Sequence, residues 1–149
     1  MSIPNGTYTF ESVQFPGVYL RMDGRGVEQG GHGVVNCQYT AASWENFRLE
    51  SDDNCNYTIQ SVIFPDVFLS MDGTGVVDCH FGAGASEQFK LVYNGSDCSF
   101  SVQSVSFGVY LSMDASEVQH QFPSQYPGTV KSQTAAGPSE RFTLKSVDV

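Results

Sequence analysis

Eight polar residues recur at matching points of a repeated segment, and their types suit one kind of chemistry. Each copy of the segment has an aspartate and, further along, an amide or an imidazole. The candidate residues are Asp23, Asn36, Gln38, Asp72, Asp78, His80, Asp114 and Gln133. Carboxylates accept hydrogen bonds and amides both donate and accept them, which is what neighbouring sugar hydroxyls require. The pattern predicts up to three equivalent carbohydrate-binding sites, with each Asp beside the Gln or His across a hairpin.

An aromatic side chain usually completes such a site by stacking on the apolar face of the sugar. The candidates are Tyr19, Tyr39, Trp44, Phe68, Phe81 and Tyr110. The aspartates also have a structural interpretation, because Met-Asp-Gly is a good turn sequence in which Asp tolerates turn geometry and Gly supplies positive φ. Both interpretations of the aspartates stay open at this point.

The segment that carries these residues occurs three times. Its copies read YTFESVQFPGVYLRMDG from Tyr8, YTIQSVIFPDVFLSMDG from Tyr57 and FSVQSVSFGVYLSMDA from Phe100. Each copy closes with Glu-x-Phe-x-Leu, at 45–49, 87–91 and 140–144. Three matches in the same order indicate a repeat architecture. We expect one domain, 1–149, with repeats at about 8–50, 57–92 and 100–145.

Each copy contains about four short runs in which apolar and polar residues alternate, bounded by Gly, Pro, Asp or Asn. This pattern predicts an all-β chain of twelve strands. A propeller also has four strands per unit, but three blades are fewer than propellers normally need. The remaining architecture is the β-trefoil, a six-stranded barrel capped by three hairpins around a pseudo-threefold axis.

The repeat also predicts the state of the cysteines and the role of the closing glutamates. Cys37 and Cys79 share one inward repeat position, while Cys55 and Cys98 share a position in the loops between repeats. Residues related by a threefold rotation usually lie too far apart for a disulfide, so we expect four free thiols. The glutamates, which share a face with core Phe residues, are expected to close the barrel; they are Glu45, Glu87 and Glu140.

Charge and missing motifs exclude several functions. The 149 residues include 7 Lys+Arg and 16 Asp+Glu, giving a net charge of −9. This charge argues against nucleic-acid and anionic-membrane partners, which need clustered basic residues. We find no metal-ligand spacing, cofactor motif, nucleophile elbow or phosphate loop, so no enzyme is expected. No signal peptide or apolar span is seen, so we expect a cytoplasmic protein without membrane insertion.

With its MSIPNGTYTF opening, the repeated chain resembles the mushroom β-trefoil lectins, most closely the galactose- and N-acetylgalactosamine-binding bolete type. The resemblance implies glycans and glycoproteins of that type as partners, a homodimer and a role in defence. The Glu-x-Phe closure departs from the Gln-x-Trp of ricin-type trefoils. Lys131 stands where the other copies have Asn36 and Asp78, which predicts an altered third site.

Two rival functions remain. One is an actin-binding trefoil similar to fascin or hisactophilin, although actin is acidic and so a poor match for a chain of charge −9. The other is a trefoil protease inhibitor that acts through one protruding loop. The insertion at 25–32 or the insertion at 116–127 would supply that loop.

Overall fold

The computed structural model describes residues 3–27, 31–39, 41–52, 54–116, 118 and 128–147, which form twelve β-strands. The first repeat contains β1 (Gly6–Ser12), β2 (Val18–Asp23), β3 (His32–Tyr39) and β4 (Phe47–Ser51). The second contains β5 (Tyr57–Ser61), β6 (Val67–Met71), β7 (Val77–Phe81) and β8 (Phe89–Asn94). The third contains β9 (Ser99–Ser104), β10 (Tyr110–Asp114), β11 (Gly128–Gln133) and β12 (Phe142–Ser146). The all-β prediction, with four strands in each copy, is confirmed.

The first and last strands of each repeat close into a six-stranded antiparallel barrel. Strand β1 pairs with β4 and β12, β5 pairs with β4 and β8, and β9 pairs with β8 and β12. The ring therefore has no open edge, which protects the strands from pairing with another chain.

The middle strands of each repeat form hairpins, β2–β3, β6–β7 and β10–β11. Strand β3 also pairs with β7 and with β11, and the Ser132 N–H donates to the Gly75 carbonyl at 3.1 Å. The three hairpins thus surround one axis at the end of the barrel. The prediction of a six-stranded barrel capped by three hairpins is confirmed.

The core follows the alternation of the strands. Apolar side chains at alternate strand positions are buried, and one Phe from the Glu-x-Phe closure of each repeat is fully buried. The largest fully buried side chains are Phe10, Leu20, Met22, Phe47, Leu49, Ile59, Leu69, Met71, Phe89, Leu111, Met113 and Phe142. Burial of this apolar area is the main favourable contribution to folding.

The closing glutamates lie in one-turn 3₁₀ helices before β4, β8 and β12, at Ser43–Glu45, Ala85–Glu87 and Pro138–Glu140. Each carboxylate accepts a hydrogen bond from the backbone N–H three residues earlier. All three glutamates are buried. Their predicted structural role agrees with these contacts.

All four cysteines are free thiols, as predicted. Cys37 and Cys79 are fully buried, and burial raises the pKa of each thiol to about 12. Cys55 and Cys98 are exposed in the loops between repeats, with φ of 62° and 57°. The buried thiols are therefore packing groups, and the exposed pair are the accessible ones.

Candidate functional site

The hairpin registers separate the aspartates from the amides that we expected beside them. Gln38 lies opposite Tyr19, whereas Asp23 lies opposite Val34. His80 and Gln133 likewise lie opposite aromatic residues of β6 and β10. Each Asp is four residues further along the chain than its aromatic, about 13 Å at 3.3 Å per strand residue. The predicted adjacency of Asp with Gln or His across each hairpin is therefore wrong.

The aspartates instead hold the hairpin turns. The Asp72 carboxylate accepts hydrogen bonds from the Thr74 N–H at 2.8 Å, the Thr74 hydroxyl at 2.7 Å and the Val76 N–H at 3.2 Å. These bonds, the Thr74 hydroxyl foremost, lower the pKa of Asp72. Asp114 accepts the Ser116 N–H at 3.0 Å, which lowers the pKa of Asp114. Two of the three carboxylates thus make the side-chain-to-backbone bonds of an Asx turn.

The third aspartate, Asp23, makes the same turn bond and an ion pair as well. It accepts the Arg25 N–H at 3.1 Å, and the Arg25 guanidinium lies on both of its oxygens at 3.0 and 2.8 Å. The guanidinium hydrogen bond is the main cause that lowers the pKa of Asp23. The structural interpretation of the aspartates therefore accounts for the contacts at all three positions.

A different set of residues is brought together three times. In each repeat an aromatic side chain lies between two polar ones on three adjacent strands, and we call each set an aromatic row. Row 1 is Glu11–Tyr19–Gln38, row 2 is Gln60–Phe68–His80 and row 3 is Gln103–Tyr110–Gln133. Sequence reasoning missed Glu11, Gln60 and Gln103, although a shared signal exists: each directly precedes the repeated Ser-Val.

In two of the rows a polar side chain contacts the neighbouring loop. Glu11 accepts the Gly17 N–H at 2.8 Å, and Gln103 donates to the Gly108 carbonyl at 3.1 Å. Partial burial, followed by the charge of Glu11, raises the pKa of Tyr19, so this phenol stays protonated and can donate. The three central aromatics are half-buried. Each row therefore offers part of a ring face between two polar side chains, of which Gln38 is itself buried.

The other two predicted residues, Asn36 and Asp78, lie next to the rows on β3 and β7. Asn36 is opposite Arg21 and accepts a hydrogen bond from its guanidinium at 3.3 Å. Asp78 contacts two imidazoles, His32 at 2.9 Å and His80 at 2.9 Å. The His80 contact lies within β7, whereas the His32 contact depends on pairing between strands of different repeats and is not visible in sequence spacing.

Repeat 1 also departs from the other repeats near its closing glutamate. Ser70 and Ser112 donate to the buried Glu87 and Glu140 at 2.6 and 2.5 Å. At the equivalent position repeat 1 has Arg21, whose guanidinium lies 4.3 Å from the Trp44 ring centroid. A cleft of about 230 Å³ opens there, lined by Arg21, Ala42, Ser43, Trp44 and Glu45.

The cleft leaves one oxygen of a buried carboxylate unsatisfied. Glu45 is 1% exposed, and its Oε2 is among the buried side-chain atoms without a hydrogen-bond partner in the described residues. Burial raises the pKa of Glu45, with the Ala42 N–H and the Arg21 charge acting in the opposite direction. A donating side chain at position 21, like the serines of the other two repeats, would satisfy this oxygen.

Solved structures share this arrangement of barrel and hairpins. A designed threefold-symmetric protein, ThreeFoil, matches 95% of the chain and 99% of its own length at 12% identity, with a TM-score of 0.71. The chain is a β-trefoil. The β-trefoil also matches SeviL, solved with asialo-GM1 saccharide, over 97% of the chain and 100% of SeviL at 13% identity, with a TM-score of 0.75.

A third match is the Polyporus squamosus lectin bound to the epitope Neu5Aca2-6Galb1-4GlcNAc, at 12% identity and a TM-score of 0.72. The β-trefoil aligns over 98% of its residues but spans only 50% of that lectin chain, and it spans 18% of a matching mosquitocidal holotoxin. At such identities these structures show the fold alone. No protein-family model and no curated protein matches the sequence.

Within the described part of the chain, no helix is long and apolar enough to cross a membrane. Most of the 116–127 insertion, one of the two loops considered for a protease inhibitor, lies outside the described residues, as do residues 28–30 of the other.

Proposed function

We propose that this β-trefoil is a lectin without catalytic activity, which binds galactose- or N-acetylgalactosamine-type glycans at up to three equivalent sites. The observation that carries the proposal is the aromatic row, which the fold repeats three times. Three similar sites suit multivalent binding, in which weak sites gain avidity through effective concentration.

The chemistry of a row matches one face of a pyranose ring. The C–H face of the sugar packs against the exposed part of the aromatic ring, while polar groups on both sides exchange hydrogen bonds with its hydroxyls. In row 2, for example, Phe68 lies between Gln60 and His80. The aspartates, 13 Å or so along the strand, set the shape of the hairpin end in this proposal.

The structural matches support the ligand class. The Polyporus squamosus lectin and SeviL are both described with saccharide ligands, and the epitope bound by the first contains a galactose unit. Their low identity to this chain means that they support carbohydrate binding as a class. The choice of galactose and N-acetylgalactosamine rests on the resemblance seen in the sequence.

A glycan array on three proteins tests the proposal: wild type, a row variant and a turn variant. The row variant carries Tyr19→Ala, Phe68→Ala and Tyr110→Ala; the turn variant carries Asp23→Asn, Asp72→Asn and Asp114→Asn, since Asn can make the same turn bonds. We expect wild type and the turn variant to bind galactose-terminated glycans with elution by lactose. The row variant should lose binding while its circular dichroism spectrum stays that of wild type.

Two results would overturn the proposal in different ways. Loss of binding in the turn variant, with the row variant unaffected, would move the sites to the hairpin ends. Absence of glycan binding in wild type, combined with inhibition of a protease, would replace the lectin by the inhibitor function.

A further inference from the structure

His32, Asp78 and His80 form a compact cluster between two hairpins. The lectin proposal uses only His80 and does not explain why the three side chains lie together. Pairing of β3 with β7 places His32 directly opposite His80, and Asp78 lies two residues before His80 on the same face of β7. The Nδ1 atom of His32 lies 2.9 Å from one oxygen of Asp78, and the Nε2 atom of His80 lies 2.9 Å from the other. The two imidazole rings meet edge to face, with centroids 4.3 Å apart.

We propose that His32, Asp78 and His80 form a binding site for a divalent transition-metal ion, with Zn²⁺ the best match. Two imidazole nitrogens and one carboxylate oxygen form a ligand set that suits zinc, and catalytic-type zinc sites use three protein ligands with water in the fourth position. All three ligand atoms already lie within 4.8 Å of one another.

Rotation of the two imidazole rings would bring the ligand atoms to the separations that the ion requires. Ligand atoms of a tetrahedral zinc site, with bonds of about 2.1 Å, lie about 3.4 Å apart. The two imidazole nitrogens contact different oxygens of Asp78, each at 2.9 Å. An ion bound to one of these oxygens would therefore require that contact to open by about half an ångström and the other imidazole to turn toward the same oxygen. The His32 side chain is 63% exposed, that of His80 is 32% exposed and that of Asp78 is 22% exposed, so solvent reaches all three ligands.

Comparison of the repeats shows that the fold does not require these three side chains. The residue equivalent to His32 is Thr74 in repeat 2, since each directly precedes the Gly of the third strand. Asn36 and Lys131 occupy the position of Asp78, and glutamines occupy the position of His80 in the other two repeats. The same hairpin packing is thus achieved elsewhere without a carboxylate or an imidazole.

Charge and position also favour a cation. The chain carries a net charge of −9, which attracts divalent cations to its surface. A bound ion would connect β3 of repeat 1 with β7 of repeat 2, so it would bind the folded state and stabilise it by mass action. His80 also belongs to row 2, so zinc would orient one imidazole of that row.

The repeats supply the variant that tests the site. Isothermal titration of chelator-treated protein with zinc chloride is performed on wild type and on the triple variant H32T/D78N/H80Q, whose residues all occur at equivalent positions. Both proteins carry C55S and C98S, which removes the two exposed thiols as alternative ligands. His120→Ala, which changes the third histidine of the chain, is the matched control.

We expect one zinc ion per chain, with an affinity that falls at least ~10-fold in the triple variant, because even indirect partners of metal ligands change affinity by 10–100-fold. The His120→Ala control should bind as wild type does, and zinc should raise the melting temperature of wild type but not that of the triple variant. NMR imidazole resonances of His32 and His80 should shift on zinc addition.

Unshifted resonances at ~1 mM zinc, a concentration that would occupy any useful site, would overturn the proposal. Equal affinity of wild type and the triple variant for zinc would overturn it as well. These readouts do not depend on glycan binding.

Discussion

Removing the Ser70 hydroxyl tests how the closing glutamates are held. Ser70 donates to Glu87 at 2.6 Å, both side chains are more than nine-tenths buried, and the carboxylate's other oxygen is occupied by the Gly84 N–H at 2.7 Å. Ser70→Ala therefore leaves one buried carboxylate oxygen without its donor. Hydrogen bonds to charged groups contribute about 1.5–3 kcal/mol, and a buried group left unsatisfied costs a similar amount.

We expect Ser70→Ala to lower the free energy of unfolding by about 2 kcal/mol, which corresponds to a drop of about 4–8 °C in melting temperature for a chain of this size. Urea unfolding followed by fluorescence of the single tryptophan, Trp44, measures the change. Ser112→Ala, which removes the same bond to Glu140, should behave in the same way. The exposed Ser96→Ala is the control and should change stability by less than about 0.5 kcal/mol.

The opposite substitution in repeat 1, which adds a serine beside the closing glutamate, should raise the free energy of unfolding. Arg21→Ser restores the serine that the other repeats have, and it offers Glu45 Oε2 the donor that it lacks. The new bond should contribute about 1.5–3 kcal/mol. Loss of the guanidinium over Trp44 costs about 0.5–1 kcal/mol, and loss of its hydrogen bond to Asn36 costs about 0.5–1.5 kcal/mol. We expect a net gain of about 0.5 kcal/mol. If Ser70→Ala matches the Ser96→Ala control, or if Arg21→Ser is destabilising, the reasoning on the glutamates is wrong.

Three further predictions concern packing, reactivity and pH. Gly128→Ala should lower the free energy of unfolding by about 1–3 kcal/mol in urea titrations, because the added Cβ would clash with the Cys37 thiol and lie 2.7 Å from the Asp114 carbonyl oxygen. Gly95→Ala is the control and should be neutral, since its Cβ would lie 3.7 Å from the nearest atom. A thiol reagent at neutral pH should modify only Cys55 and Cys98 in the folded protein, as judged by mass spectrometry; early modification of the buried pair, whose pKa is about 12, would contradict the burial argument. Glu45→Gln should stabilise the protein at neutral pH and not at acidic pH. Burial raises the pKa of Glu45 in the folded protein, so its ionised carboxylate destabilises the fold. This destabilisation is absent below the unfolded-state pKa and complete above the folded-state pKa, and glutamine removes it. Urea titrations at both pH values give the difference.

The sequence was sufficient to predict the strands, their faces and the trefoil, because each of these depends on short-range alternation and on a repeat that is visible in the letters. The pairing register of the hairpin strands could not be predicted in this way. A shift by any even number of residues keeps every side chain on its face, so alternation alone does not distinguish Asp23 opposite Gln38 from the observed Asp23 opposite Val34. Turn length decides between them, and the 25–32 insertion gives no simple turn signal.

The histidine cluster shows a second limit of the sequence. His32 and His80 are 48 positions apart, and they meet because β3 and β7 of different repeats pair around the hairpin axis. Equivalent strands in the other repeats carry different residues, so the repeat pattern does not predict the contact between His32 and His80. Aromatic rows are the opposite case, since all nine members occupy repeated positions and only the register was needed to assemble them.

Departures from threefold symmetry indicate positions at which the repeats differ in function. Contacts that close the fold recur in the repeats, such as the backbone bonds to the buried glutamates and the fully buried Phe of each closure. A residue that differs in one copy, such as Arg21 or His32, is therefore not needed for closure. Both lie in repeat 1, on strands of one hairpin, and the second contacts row 2 through His80. If the three rows bind glycan with one affinity that zinc leaves unchanged, the metal serves stability alone. If zinc changes only the affinity of row 2, then one imidazole joins the two functions, and the asymmetry of the repeats is a regulatory feature of glycan binding.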